Sequence, residues 1–109
     1  MIILKITMNV LSEKKKELSQ TLLSMMEAME KAEGCLRCTL YSDIEDKSLL
    51  MLLEEWRNRK DLDHHLRSEI FGVLLGTKSL LNEPHELDIY TIHQAESYEA
   101  VLAAREKPT

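Results

Sequence analysis

Hydrophobic and polar residues alternate cleanly from Met1 to Val10. Ile2, Leu4, Ile6, Met8 and Val10 share one face, and Ile3, Lys5, Thr7 and Asn9 share the other, which predicts a first strand. From Glu13 to Glu33 the period changes: Leu18, Leu22, Met25, Met26 and Met29 recur at helical spacing. Ser12 is placed to cap this helix, Glu13 complements its N-terminal dipole, and Gly34 sits where a helix stop is expected. Cys35 to Asp43 predicts a second strand, with Leu36, Cys38 and Leu40 on one face and Arg37, Thr39 and Tyr41 on the other. A polar turn over 43–47 leads to a third strand, Ser48 to Trp56, and so to a hairpin. This strand is apolar on both faces: Leu49, Met51 and Leu53 one way, Leu50, Leu52 and Trp56 the other. A strand of that kind is expected to be buried on both sides.

Asn58 is a cap for a second helix, with Asp61 three residues on as its partner. Leu62, His65 and Leu66 lie on one side of it. Ser68 is a point of restart, after which Ile70, Phe71, Val73, Leu74 and Leu75 continue the apolar pattern. Gly72 and Gly76 predict a bend or break there, and Pro84 ends the helical part. His85 to His93 predicts strand four, with Leu87, Ile89 and Thr91 opposite Asp88, Tyr90 and Ile92. A short C-terminal helix with Tyr98, Val101 and Leu102 on one stripe follows. The order β-α-β-β-α-β is the split βαβ arrangement, so the expectation is a ferredoxin-like α+β fold on an antiparallel sheet, spanning 1–93, with a C-terminal helix and tail over 94–109. In that layout the helices cover one face of the sheet, and the remaining apolar face asks for a second copy, giving a homodimer.

With 109 residues the chain fits one domain. Its net charge of −5 argues against nucleic acid, which needs a basic stripe. No segment approaches the run of about 20 apolar residues needed to span a membrane, and Met1 to Val10 lacks a signal-peptide layout. The cytoplasm is therefore the expected compartment. Aromatics are 5% of the chain, so aliphatic residues and six methionines must fill the core. Cys35 and Cys38 form a C-x-x-C. In a regular strand, residues three apart face opposite ways with Cα atoms about 10 Å apart, too far for a disulfide. Both read as small buried hydrophobes.

Glu33-Gly34-Cys35-Leu36 followed by Leu40-Tyr41-Ser42-Asp43 resembles the antibiotic biosynthesis monooxygenase family. So does Glu54-Glu55-Trp56-Arg57-Asn58, followed by Leu62 and His65-Leu66-Arg67-Ser68. The likeness runs over about residues 1–92 by the element reading. It implies a dimeric α+β barrel and oxygenation of a small electron-rich phenol, quinol or anthrone by O2, with no bound metal or flavin. The protein would then supply a dry pocket, a base and donors for the developing oxyanion. The same fold also serves two other readings: a non-catalytic dimer that binds a small apolar molecule or a partner, and a haem-degrading oxygenase.

His65 is the candidate base, because histidine titrates near neutrality; its plain reading is a hydrogen-bonded helix histidine. Trp56 could wall the pocket or anchor the core. Asn9 could donate to a substrate oxygen or start a turn. Phe71 and Leu74 are candidate pocket lining, Tyr90 could orient a substrate hydroxyl, and Arg37 and Glu54 could touch ligand or pair across the dimer. Alternation alone leaves open which sheet face looks at the pocket. A metal is not expected: His64 and His65 lie about 100° apart on a helix, which suits no common ion. The resemblance implies no cofactor, and three scattered glycines make no phosphate loop for a nucleotide.

Overall fold

Alternation in the first strand becomes a strict burial pattern in the computed structural model, which describes residues 1–107. In β1 (Ile2–Asn9) the even residues are buried and the odd ones half-buried. β3 (Leu49–Trp56) repeats the pattern and runs antiparallel to β1, with Ile2 opposite Trp56 and Asn9 opposite Leu49. β2 (Cys35–Ser42) flanks β3 and β4 (Glu86–Thr91) flanks β1, which gives the order β2-β3-β1-β4, antiparallel throughout. This is the ferredoxin-like α+β arrangement. One face carries Leu4, Ile6, Met8, Leu50, Leu52 and Trp56, all buried. Against it pack α1 (Lys15–Met29), α2 (Arg59–Leu66) and α3 (Glu69–Gly76), through Leu18, Leu22, Met25 and Met29, then Leu62, then Phe71 and Leu74.

The second face carries no helix of the described chain. Leu49, Met51 and Leu53 are half-buried there, beside Ile3, Lys5 and Thr7. Strand three is thus apolar on both sides as its sequence predicts, but in a single chain only one side is shielded from water.

Several local expectations change. Ser12 does not cap α1; it sits in a 3₁₀ turn over Ser12–Lys14, its hydroxyl donating to Glu13, and the helix begins at Lys15. α1 ends at Met29, not Glu33, because residues 30–34 turn back to feed β2. The break after the second helix falls at Arg67–Ser68 rather than at Gly72. There the Ser68 hydroxyl accepts from Phe71 N at 3.3 Å and starts α3. Asn58 caps α2 as expected, accepting from Asp61 N at 2.9 Å.

The second strand holds the main departure. Cys35 lies opposite Trp56, yet Arg37 lies opposite Glu55, so one extra residue is inserted between them. This bulge resets the alternation. Leu36 is pushed outward, 58% exposed, while Cys35 and Cys38 both join the helix-covered face, packed against the core. The expectation of opposite faces for the two cysteines is therefore corrected; both are free thiols, as half-buried packing residues.

The C-terminal helix, α4 (Tyr98–Glu106), has no buried residue. Pro108 and Thr109, the end of the segment expected over 94–109, lie outside the described residues.

Gly34 closes the loop between α1 and β2. Its φ of +82° is the left-handed region that glycine alone adopts cheaply, and its carbonyl accepts from Arg57 N at 2.8 Å. A Cβ there would run into the Asp61 side chain, which Arg57 holds by two hydrogen bonds of 2.8 and 3.2 Å. Gly34→Ala is expected to destabilise the fold by about 1–3 kcal/mol, read as a lower urea midpoint. Adding Asp61→Ala should recover the part due to collision and not the part due to φ. Equal stability of Gly34→Ala and wild type would contradict this account of the loop.

Candidate functional site

Period two puts Glu54 and Trp56 on the same, helix-covered face of β3. The Asn58 cap then starts α2 so that Leu62 and His65, one turn apart, both point into the core. As a result a carboxylate, an indole and an imidazole meet in one place. Trp56 Nε1 donates to Glu54 Oε1 at 2.9 Å. His65 Nε2 stands 3.3 Å from the same oxygen. The two rings stack with centroids 4.7 Å apart and planes 29° apart, and Phe71 meets the imidazole edge-on at 5.4 Å. Glu54 and Trp56 are fully buried, and His65 is 5% exposed.

Burying a carboxylate among leucines is costly unless it is hydrogen-bonded. Here the cost is only partly met. The approach of His65 to Glu54 is close but misaligned for a hydrogen bond, so Glu54 Oε2 and His65 Nε2 both lack hydrogen-bond partners among the described residues. Buried polar atoms left without partners are uncommon.

An opening of about 230 Å³ reaches this cluster, lined by Trp56, His65, Ser68 and Ile70 within and by Glu33, Asp61 and His64 at its rim. Glu54 does not line it. The imidazole therefore stands between the opening and a buried carboxylate. Larger hollows lie elsewhere: about 490 Å³ between α1 and α3, and about 370 Å³ on the uncovered face beside Lys5, Thr7 and Met51. Neither these nor a third hollow of about 270 Å³ beside Cys35 and Cys38 is lined by a histidine or a buried charge.

Of the residues singled out in the sequence, the structure brings together His65, Trp56, Glu54 and Phe71. Leu74 is buried one turn beyond Phe71 on α3. Three others are elsewhere. Asn9 is at the far end of β1, about 23 Å along the strand from the Trp56 end. It faces the uncovered side, where its side chain accepts from Asn82 at 3.0 Å. Tyr90 and Arg37 also face that side, and Arg37 stands 3.9 Å from Glu55. Arg37 and Glu54 thus belong to opposite faces of the sheet. Sequence reasoning missed Ser68, Asp61 and Glu33 at the opening. The cap positions Asn58 and Ser68 were the signal that would have found them, since they aim both helix starts at this corner. His64 is exposed while His65 is buried. Among the described residues no group of three or more His, Cys, Asp or Glu could hold a metal ion. Among the described residues no helix is long and apolar enough to cross a membrane.

Residues 1–74 match the family model described as antibiotic biosynthesis monooxygenase. The chain belongs to the antibiotic biosynthesis monooxygenase family. No curated protein matches it. Among solved structures, a conserved protein from Methanosarcina mazei Go1 is 32% identical, covering 82% of this chain and 89% of that one, with a TM-score of 0.77. A protein of Deinococcus radiodurans, provisionally assigned to the same family, covers 89% of this chain and 97% of its own at 21% identity and a TM-score of 0.81. One of Nitrosomonas europaea, of the same provisional assignment, covers 86% of this chain and all of its own at 18% identity and a TM-score of 0.79. The last two likenesses show the fold alone.

Glu54 also acts on the cysteines across from it on β2, since Cys38 is its direct neighbour in the ladder. Burial, reinforced by the Glu54 carboxylate, pushes the Cys38 thiol up to about 12. Only the thiolate is nucleophilic. Iodoacetamide at pH 8 is therefore expected to label Cys38 at least about 100-fold more slowly in the folded protein than in urea, followed by mass spectrometry. Rates within tenfold of each other would contradict the burial of this thiol beside Glu54.

Proposed function

We propose that this protein is a cofactor-independent monooxygenase acting on a small aromatic quinol or phenol, with His65 as the base. The observation that carries this reading is the order of groups: opening, imidazole, buried carboxylate. A substrate hydroxyl in the opening gives its proton to His65, and Glu54 lies behind the ring where positive charge then forms. The electron-rich anion passes an electron to O2 and the two recombine as a peroxide. Loss of water from that adduct leaves one oxygen atom on the substrate. For a hydroquinone the products are a hydroxyquinone and water, and the substrate itself supplies all four electrons. Trp56 and Phe71 supply apolar ring surface and keep water out. An opening of about 230 Å³ falls below the usual range for drug-sized ligands, which favours one or two rings over an anthrone or a haem.

The enzyme is proposed to act as a homodimer in the cytoplasm. The half-buried apolar row of Leu49, Met51 and Leu53 favours a second sheet packed on the first. Two free thiols suit a reducing compartment.

Oxygen uptake with a panel of one- and two-ring quinols tests the reading. His65→Ala is expected to lower kcat by about 10²–10⁴-fold with little change in KM. Absence of oxygen uptake by the wild type across the panel, or full activity of His65→Ala, would overturn it.

A further inference from the structure

α4 is the one helix whose apolar stripe has no place to go within its own chain. Tyr98 is 69% exposed, Val101 54% and Leu102 39%, and no residue of the helix is buried. The helix makes no extensive contact with any other element. It also stretches the molecule. The radius of gyration is 16.4 Å, against about 13 Å for a compact chain of this length, and the longest extent is 51 Å. A nine-residue helix with three large apolar side chains in water gains little from forming alone. Among the described residues no element of its own chain packs extensively on it, although the uncovered sheet face begins where α4's connection leaves it: Ile92 N donates to Met1 O at 2.9 Å, beside the first residues of β1.

We infer that α4 is an arm that packs on the second copy of this chain, rather than on its own subunit. The inference rests on the homodimeric reading given above and extends it. Area decides in its favour. Four strands of six to eight residues present a face of about 500 Å², so two faces together bury about 1,000 Å². That is short of the 1,200–2,000 Å² or so that specific, stable interfaces bury. Two α4 arms, each about 14 Å long and 10 Å wide and each covering an equal area on the other copy, bring the total to about 1,500 Å². A sheet-to-sheet dimer without the arms is marginal, and with them it has an ordinary interface.

Two measurements on the full chain test this. The first is the dimer dissociation constant by sedimentation for the wild type and for V101S/L102S, both substitutions being on exposed positions with no bearing on the core. The double variant is expected to keep its circular dichroism and to dissociate at least about tenfold more readily. The second places a photo-reactive benzoylphenylalanine at position 102. Its cross-links are expected to join two chains, giving a product of twice the mass. A wild-type dimer whose dissociation constant V101S/L102S leaves unchanged, or cross-links confined within single chains, would overturn the arm and leave the sheet-to-sheet dimer standing. A wild type that stays a lone subunit at micromolar concentration would instead overturn the dimeric reading itself.

Discussion

A carboxylate buried with a single hydrogen bond is the constraint from which the rest of this molecule follows. Glu54 stands in line with Leu50 and Leu52 on the same buried face, where an aliphatic side chain would carry no charge to desolvate. Its Oε1 holds the Trp56 indole and stands beside the His65 ring, while its Oε2 has no hydrogen-bond partner among the described residues. Removing one partner of such a group strands the others. It is a weak way to gain stability and an effective way to hold three side chains in one arrangement.

The fold serves that arrangement from two directions. Register between β1 and β3 brings Trp56 opposite Ile2, which seals one side of the cluster with the first residues of the chain. The α1–β2 loop seals the other. There a positive-φ glycine, the Arg57–Asp61 pair and the Arg57–Glu33 contact of 3.6 Å tie the loop to the start of α2. These surface pairs contribute little energy of their own. Their effect is geometric: they set where the rim of the opening stands relative to the imidazole. The bulge in β2 has the same consequence from the outer edge, turning both cysteines inward so that the carboxylate is bounded by sulfur and hydrocarbon on that side.

Much of this was legible in the residues. Alternation in Ile2–Val10, the two-sided apolar run of strand three and the caps at Asn58 and Ser68 are local signals, and each survives into the structure. The bulge was not legible, since it depends on what lies across the ladder, and it alone reversed the parity of Leu36 and Cys35. The helix ends at Ser12 and Glu33 shifted because tight turns there compete with capping. At the site, the spacing of Glu54, Trp56 and His65 put the right residues in view. It could not tell a strand residue facing the helices from one facing outward, so Asn9, Tyr90 and Arg37 were gathered with them although they occupy the opposite face.

The most direct test of the central claim uses the fact that Trp56 is the only tryptophan in the chain. Its indole N–H, buried and donated to Glu54, gives a single resonance whose hydrogen exchange can be followed in deuterated water. The account predicts exchange as slow as that of the central β1–β3 amides, and a marked acceleration in Glu54→Ala. An indole proton that exchanges within the dead time in the folded wild type would show that the carboxylate, the indole and the imidazole do not form a closed cluster.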